Sequence, residues 1–249
     1  KVLPVNAFAI TTLILSSLDA DKSPLQDVRV RQAVNYAIDK KAIIDNLFMG
    51  GANPLNGQLL RKTQLGYNPN LTDYPYDPKK AKELLTAAGY PNGFEVRFKV
   101  PVGSYQQGQE VAEAAAGMLD AVGIKARIQL IEAGEYLRQL RARELGPMAM
   151  SGSQPPDDPH FQMSQYHSTW RYAYLHDPKL DKFINDGEVE MDKEKRAKIY
   201  QEASAYVREI APVAFLYNGV SYFASSAKVN NLHPRGDARF FFYNVSLTK

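Results

Sequence analysis

Asp27-Val-Arg-Val-Arg-Gln-Ala-Val-Asn-Tyr-Ala-Ile-Asp39 decides how this chain folds. Asp27 stands where a side-chain carboxylate can accept from the free amides that open a helix. Behind it Val30, Ala33, Val34, Ala37 and Ile38 recur at spacings of three and four, which puts them on one face. Asp39 predicts a second cap, opening a helix over Lys40 to Phe48 that Gly50-Gly51 ends. The stretch predicts a helix pair laid on a core. By itself it names no activity.

Outward from that pair the pattern alternates. Ala7 to Leu15 is apolar and β-rich, too short to span a bilayer, and reads as a buried strand. Asp77-Pro78 caps a helix whose apolar face is Ala81, Leu84, Leu85 and Ala88, stopped by Gly89. Phe94, Val96, Phe98 and Val100 alternate with charged residues as a strand. A helix from Gln106 to Val122 and a strand from Ile124 to Leu130 complete a βαβ unit, which implies a parallel pair. A helix over Gly134 to Glu144 and a short strand at Met148-Ala-Met150 follow. Ser151 to His176 reads as one long loop, then helices run from Pro178 to Asp186 and, behind Asp192, from Lys193 to Ile210. Val213–Tyr217 and Ser221–Ala224 read as a hairpin turned at Asn218-Gly219, and Phe240–Leu247 as a last strand.

Composition sets outer bounds. The 249 residues suffice for one large domain or two small ones. Thirty Lys and Arg are interleaved with 27 Asp and Glu, so no basic stripe argues for nucleic acid. There is no cysteine, which removes disulfides, zinc thiolates and thiol catalysis together. Lys1 to Leu18 carries no cleavage-site pattern of a secretory signal.

The opening stretch resembles the helix of solute-binding proteins that serve ABC importers, in family 5, which includes dipeptide-, oligopeptide- and nickel-binding members. Further segments resemble the same family in order: Gly66-Tyr67, Tyr76-Asp77-Pro78-Lys-Lys-Ala-Lys-Glu-Leu-Leu-x-x-Ala-Gly-Tyr90, and Ile210-Ala-Pro-Val-Ala-Phe-Leu216. Members are about twice this length, so the resemblance implies the C-terminal half of such a protein. The fold it implies is α/β, a periplasmic-binding-protein-like lobe with a mixed sheet flanked by helices. Residues 1–26 would be a hinge or partner-lobe strand segment, 27–211 the ligand-binding lobe, and 212–249 return strands to the hinge and partner lobe. It further implies a periplasmic or extracytoplasmic location, secreted with or without a lipid anchor. The implied partners are a small-molecule solute, the ABC permease subunits and the absent N-terminal lobe. No cofactor and no catalysis are expected.

The loop from Ser151 to Tyr172 holds the only Trp, two of four His, and several Gln and Ser. A loop of that length without periodicity usually has a task, and rings with a few polar groups suit a small-molecule cleft. Gln154, Asp157, His160, Tyr166, Trp170 and Arg171 are the first candidates for ligand contact, with Ser104, Tyr105 and Gln106 at the end of the strand from Phe94 behind them. Dipeptide-binding relatives use an Asp of this loop for the ligand's amino group; aligned on Asp158-Pro159, that position is Pro155. Their Arg for the ligand carboxylate falls at Ser104. With both charged anchors replaced, a longer peptide, an oligosaccharide or an opine-like compound fits better than a dipeptide held by its termini. Pro156-Asp-Asp-Pro-His160 also resembles a run in nickel-binding members, which keeps His160 with His167 open as metal or chelate ligands. A hydrolase using Asp157 or Asp158 and a free-standing interaction domain are the remaining alternatives. No Gly-x-Ser-x-Gly elbow, phosphate loop or His-Glu-x-x-His helix supports the former.

Overall fold

Asp27 opens α1 (Val28–Ala37) by accepting from the Arg29 amide, and Val30, Ala33, Val34 and Ala37 are buried beneath it. Asp39 does the same for α2 (Lys40–Phe48), which ends at Met49 in the left-handed conformation. These two helices come from a computed structural model that describes residues 1–18, 22–154 and 156–248. Two polar residues that the apolar pattern passes over are buried in α1. Arg31 donates to the carbonyls of Leu25, Gln26 and Ile210, placing its charge at the carbonyl end of a later helix. Asn35 donates to Val213 O and accepts from Phe215 N, both at 3.0 Å.

The strand expected at Ala7–Leu15 is longer, β1 (Val2–Leu15). It lies inside a six-stranded sheet with β2 (Ala52–Pro54), β3 (Phe94–Pro101), β4 (Ile124–Ile131), β5 (Met148–Ser153) and β6 (Val213–Ala224), in the order β2-β6-β1-β5-β3-β4. β3 pairs in parallel with β4 and with β5, while β1 is antiparallel to both β5 and β6. The sheet is therefore mixed. Helices α1 and α2, α3 (Pro78–Ala87) and α4 (Gly108–Asp120) surround one apolar cluster, where Leu13, Phe98 and Met150 are fully buried. α5 (Ala133–Ala142), α6 (Pro159–Met163), α7 (Pro178–Val189) and α8 (Lys193–Ile210) cover the other face, whose core includes Phe215, Leu180 and Tyr200.

Three expectations differ from the structure. Asn218-Gly219 makes no hairpin turn: β6 runs through them unbroken, because Asn218 Nδ2 donates to the carbonyls of Ala7 and Ala9 where β1 shifts register between Asn6 and Ile10. A bulge in the partner strand thus uses the side chain that a turn would have used. The long loop after β5 is interrupted by α6, which Asp158 caps by accepting from the His160 amide, and by a 3₁₀ turn at Ser164–Tyr166. Phe240–Leu247 is not one strand. Only β8 (Ser246–Leu247) pairs, with β7 (Val229–Asn230), and Phe241, Phe242 and Tyr243 are exposed.

β1 and β6 continue past the tip of β5 as a two-stranded ribbon. Ser153 faces Ile10, yet the pairing of β1 with β6 extends to Val2 and Ala224. The finishing ends of β3, β4 and β5 and the base of this ribbon form one margin of the molecule.

Candidate functional site

In open α/β sheets ligands bind outside the carboxyl ends of the strands, where strand order reverses. Here that margin is the tips of β3 and β5 beside the ribbon. Tyr105 joins the tips: it leaves β3 through residues 102–107, and its hydroxyl accepts from Gly152 N at 2.9 Å. Burial holds its phenol above the ordinary value. The contact requires glycine at 152, since a Cβ there would come within 2.6 Å of the Tyr105 ring. Ser104 and Gln106 flank Tyr105 and are exposed. Gln154, at the end of β5, is exposed and donates to Gly236 O at 3.3 Å. The structure brings these four residues to one margin.

Asp157 and Asp158 sit just beyond and are held by different arginines. Asp157 Oδ1 takes Arg61 Nη2 at 2.8 Å, and its carbonyl accepts from Gln64. Asp158 receives a two-pronged contact from Arg196 at 2.8 and 2.9 Å, besides capping α6. The Arg196 guanidinium holds the Asp158 carboxyl below the ordinary carboxylate range. Both aspartates fasten the loop. Asp157 ties it to the segment after β2, and Asp158 ties it to α8. Pro155, the position aligned with the amino-group anchor of dipeptide-binding relatives, lies outside the described residues.

The other first candidates are elsewhere. Tyr166 packs against the cluster beneath α7 and α8, its hydroxyl bonded to Thr12, and burial drives its phenol far above the ordinary value. His160 is in the first turn of α6, with Nε2 4.0 Å from Glu188 Oε1 on α7. Trp170 and Arg171 are beside the carboxyl end of α5, where Arg143 donates to the carbonyls of Ser168 and Trp170. α5 starts at the strand tips and runs back ten residues, about 15 Å at the usual helical rise. Trp170 stands edge-on to Tyr172, and the Arg171 guanidinium lies over the Tyr172 ring. Trp170 and Arg171 stand away from the margin, whereas Tyr166 lines a hollow of about 210 Å³ together with Ser151 and Gly152 of β5. Among the described residues, no group of three or more His, Cys, Asp or Glu could hold a metal ion.

A hollow of about 690 Å³ adjoins the margin between the ribbon and residues 53–67. Gly236, which takes the Gln154 amide, is part of its wall. Asn6, Asn53, Asn56 and Asn218 line it, with Arg61 and Lys62. Asn53 donates to Asn6 at 3.0 Å, which orients both amides. Sequence reading passed over these residues, although residues 55–77 also form a long stretch without periodicity, the same signal that marked the loop after β5. A larger hollow of about 1060 Å³ opens on the α2 side of β2. The buried Lys40 amine facing it is already engaged, by Asp73 and by Leu55 O.

Comparison with known proteins adds the following. The family description "Bacterial extracellular solute-binding proteins, family 5 Middle" matches residues 4–173. Heme-binding protein A of Haemophilus influenzae is 32% identical over 239 residues, covering 93% of this chain and 44% of that protein. The dipeptide-binding protein of Escherichia coli is 29% identical over 246 residues, covering 93% of this chain and 45% of its own length. The solved structure of HbpA2 from Haemophilus parasuis superposes with a TM-score of 0.89 at 27% identity, covering all of this chain and 50% of that one. The chain spans about half the length of the relatives it matches.

Proposed function

Because this chain belongs to the bacterial extracellular solute-binding proteins, family 5, we propose that it forms the C-terminal lobe of the solute-binding component of an ABC importer. The solute would lie between this lobe and the other half of the protein, along the margin of Ser104, Tyr105, Gln106 and Gln154. One observation carries this reading. Exposed, uncharged polar side chains stand at the tips of β3 and β5 beside an open hollow, at the place where the β1–β6 ribbon leaves the lobe.

Binding of this kind needs no bond-breaking residue. The ribbon would act as the hinge, its bulge at Asn6–Ile10 pinned by Asn218. Solute favours the closed arrangement because only there do both halves contact it. The membrane permease would read that closed form outside the cytoplasm. Asp157 and Asp158, which a hydrolase would require, are each committed to an arginine and serve as loop anchors. No helix among the described residues is long and apolar enough to cross a membrane, and the whole protein would work beside its permease as a secreted or lipid-anchored component.

The solute class this margin favours is a longer peptide, an oligosaccharide or an opine-like compound, since the positions of the dipeptide anchors hold Pro155 and Ser104. The test is a thermal melt of the complete protein against a library of those classes, with heme and nickel chelates included. A true solute at a hundred times its Kd adds about 2.7 kcal/mol of stability, which shifts the melt by several degrees. A library that leaves the midpoint unmoved overturns the proposal.

A further inference from the structure

The hollow beside the ribbon differs in charge from the strand tips it adjoins. Four asparagine amides and two cations line it, and no carboxylate is among its lining residues. Two acids that neighbour its lining residues are already engaged. Asp157 holds Arg61 at 2.8 Å, and Asp237, next to Gly236 in the wall, is held by Arg235 at 3.2 Å and Arg239 at 3.7 Å. Lys62 is exposed, and among the described residues no acid pairs with it. The balance here is therefore positive. One arginine is neutralised by Asp157, two share Asp237, and Lys62 is left over. Carboxamide N–H groups and an ammonium together suit an oxyanion, which takes several donors at once.

We propose that this hollow is a subsite for the anionic end of the captured solute, a carboxylate or phosphate, with Lys62 as its charge partner and Asn56 and Asn53 as neutral donors. The inference rests on the reading of the chain as a solute-binding lobe and adds the charge of the solute to it. It also places the anion contact about the ribbon rather than at Ser104. The Arg61–Asp157 pair positions the subsite by tying its wall to the loop after β5. Because the ammonium is exposed to water, its attraction is modest and screened by salt.

The test compares acid and neutral partners on the complete protein by thermal shift and titration calorimetry. The pairs are Ala-Ala-Glu against Ala-Ala-Gln-amide, and digalacturonate against galactobiose. Ala-Ala-phosphoserine-amide, whose only anion is the phosphate, separates phosphate from carboxylate. The acid member of at least one pair should bind about threefold to fivefold more tightly than its neutral partner, a difference of about 0.7–1 kcal/mol. Lys62→Gln should remove most of that preference without altering the unliganded melt, and Lys62→Arg should restore it. Added salt should shrink the preference in the native protein and leave Lys62→Gln unchanged. Equal binding of acid and neutral members, or a preference that Lys62→Gln leaves intact, overturns the subsite while the solute-binding reading stands. If no member of any pair binds, the subsite fails for these chemistries; if the wider library is silent too, the solute-binding reading fails with it.

Discussion

The two ends of the long segment that follows β5 look alike in sequence and differ in the folded molecule. At its start, Gln154 and Asp157 stand at the strand tips, one reaching Gly236 and the other Arg61, beside an open hollow. At its finish, Trp170 and Arg171 pack around Tyr172 near the carboxyl end of α5. The second end is richer in aromatic rings and cation–ring contacts, the features that make a loop look like a binding site. Its backbone is nevertheless tied down, with carbonyls capped by Arg143 and the Tyr174 hydroxyl accepting from Leu145 N. On the proposed reading, a residue's place relative to strand polarity is a better guide to solute contact than its chemical type.

Both ends stand on one sheet, so the comparison breaks most severely at the core. Phe98 is fully buried in β3 and packed among the helices of the first face. Phe98→Ala should cost about 3–5 kcal/mol. Denaturant unfolding should show a lower midpoint, with solute binding and the environment of Trp170 lost in a single transition. A Trp170 fluorescence transition well separated from the loss of binding would show that the two ends belong to separate folding units.

A smaller change addresses the strand tips alone. Tyr105→Phe removes the hydroxyl that accepts from Gly152 N, at a cost of about 0.5–1.5 kcal/mol. Solute affinity should fall several-fold while Trp170 fluorescence stays as it was. Unchanged affinity would mean that the link between β3 and β5 plays no part in shaping the margin.

The fold was largely legible because helix caps and alternating strands are local signals. Asp27, Asp39, Asp77 and Asp192 each cap the helix expected of them, and β3 and β4 pair in parallel as their connection implied. Errors arose where a side chain answers to a distant partner. Asn218-Gly219 has the composition of a turn, but the carbonyls of Ala7 and Ala9, more than 200 residues away in sequence, hold Asn218 in a strand. Asp158 lies in the stretch that reads as one long loop and is a helix cap bound to Arg196. The candidate margin was half legible. Ser104, Tyr105 and Gln106 follow from strand polarity, whereas the hollow gathers β1, β2, β6 and residue 236 from four distant parts of the chain, which no local pattern announces.

The loop anchor gives a weaker, pH-dependent prediction. Arg196 lowers the folded pKa of Asp158 below its ordinary value of 3.8. The resulting stability is therefore complete above that ordinary value and is lost as pH falls through the lower folded one. The Asp158 side chain is 39% exposed, so solvent screening limits the effect to about 1 kcal/mol or less. Asp158→Asn should flatten the acid limb of the stability curve by that amount, measured as the melting midpoint against pH. An acid limb identical in the variant would show that the pair contributes nothing to holding the loop.

The smallest expected effect is the most informative about the comparison itself. Trp170 is 40% exposed, and its carbonyl, not its ring, takes the Arg143 contact. Trp170→Ala removes a partly exposed ring from Tyr172 and leaves that main-chain bond possible, so the melt should fall only slightly. Solute affinity should stay within about twofold, less than 0.5 kcal/mol. Gln154→Ala, which takes a polar group from the strand tips and frees Gly236, should weaken affinity more than Trp170→Ala does. The reverse order would mean that the solute reaches down the face under α5 to the aromatic end, and that strand polarity is the wrong guide to where this lobe grips.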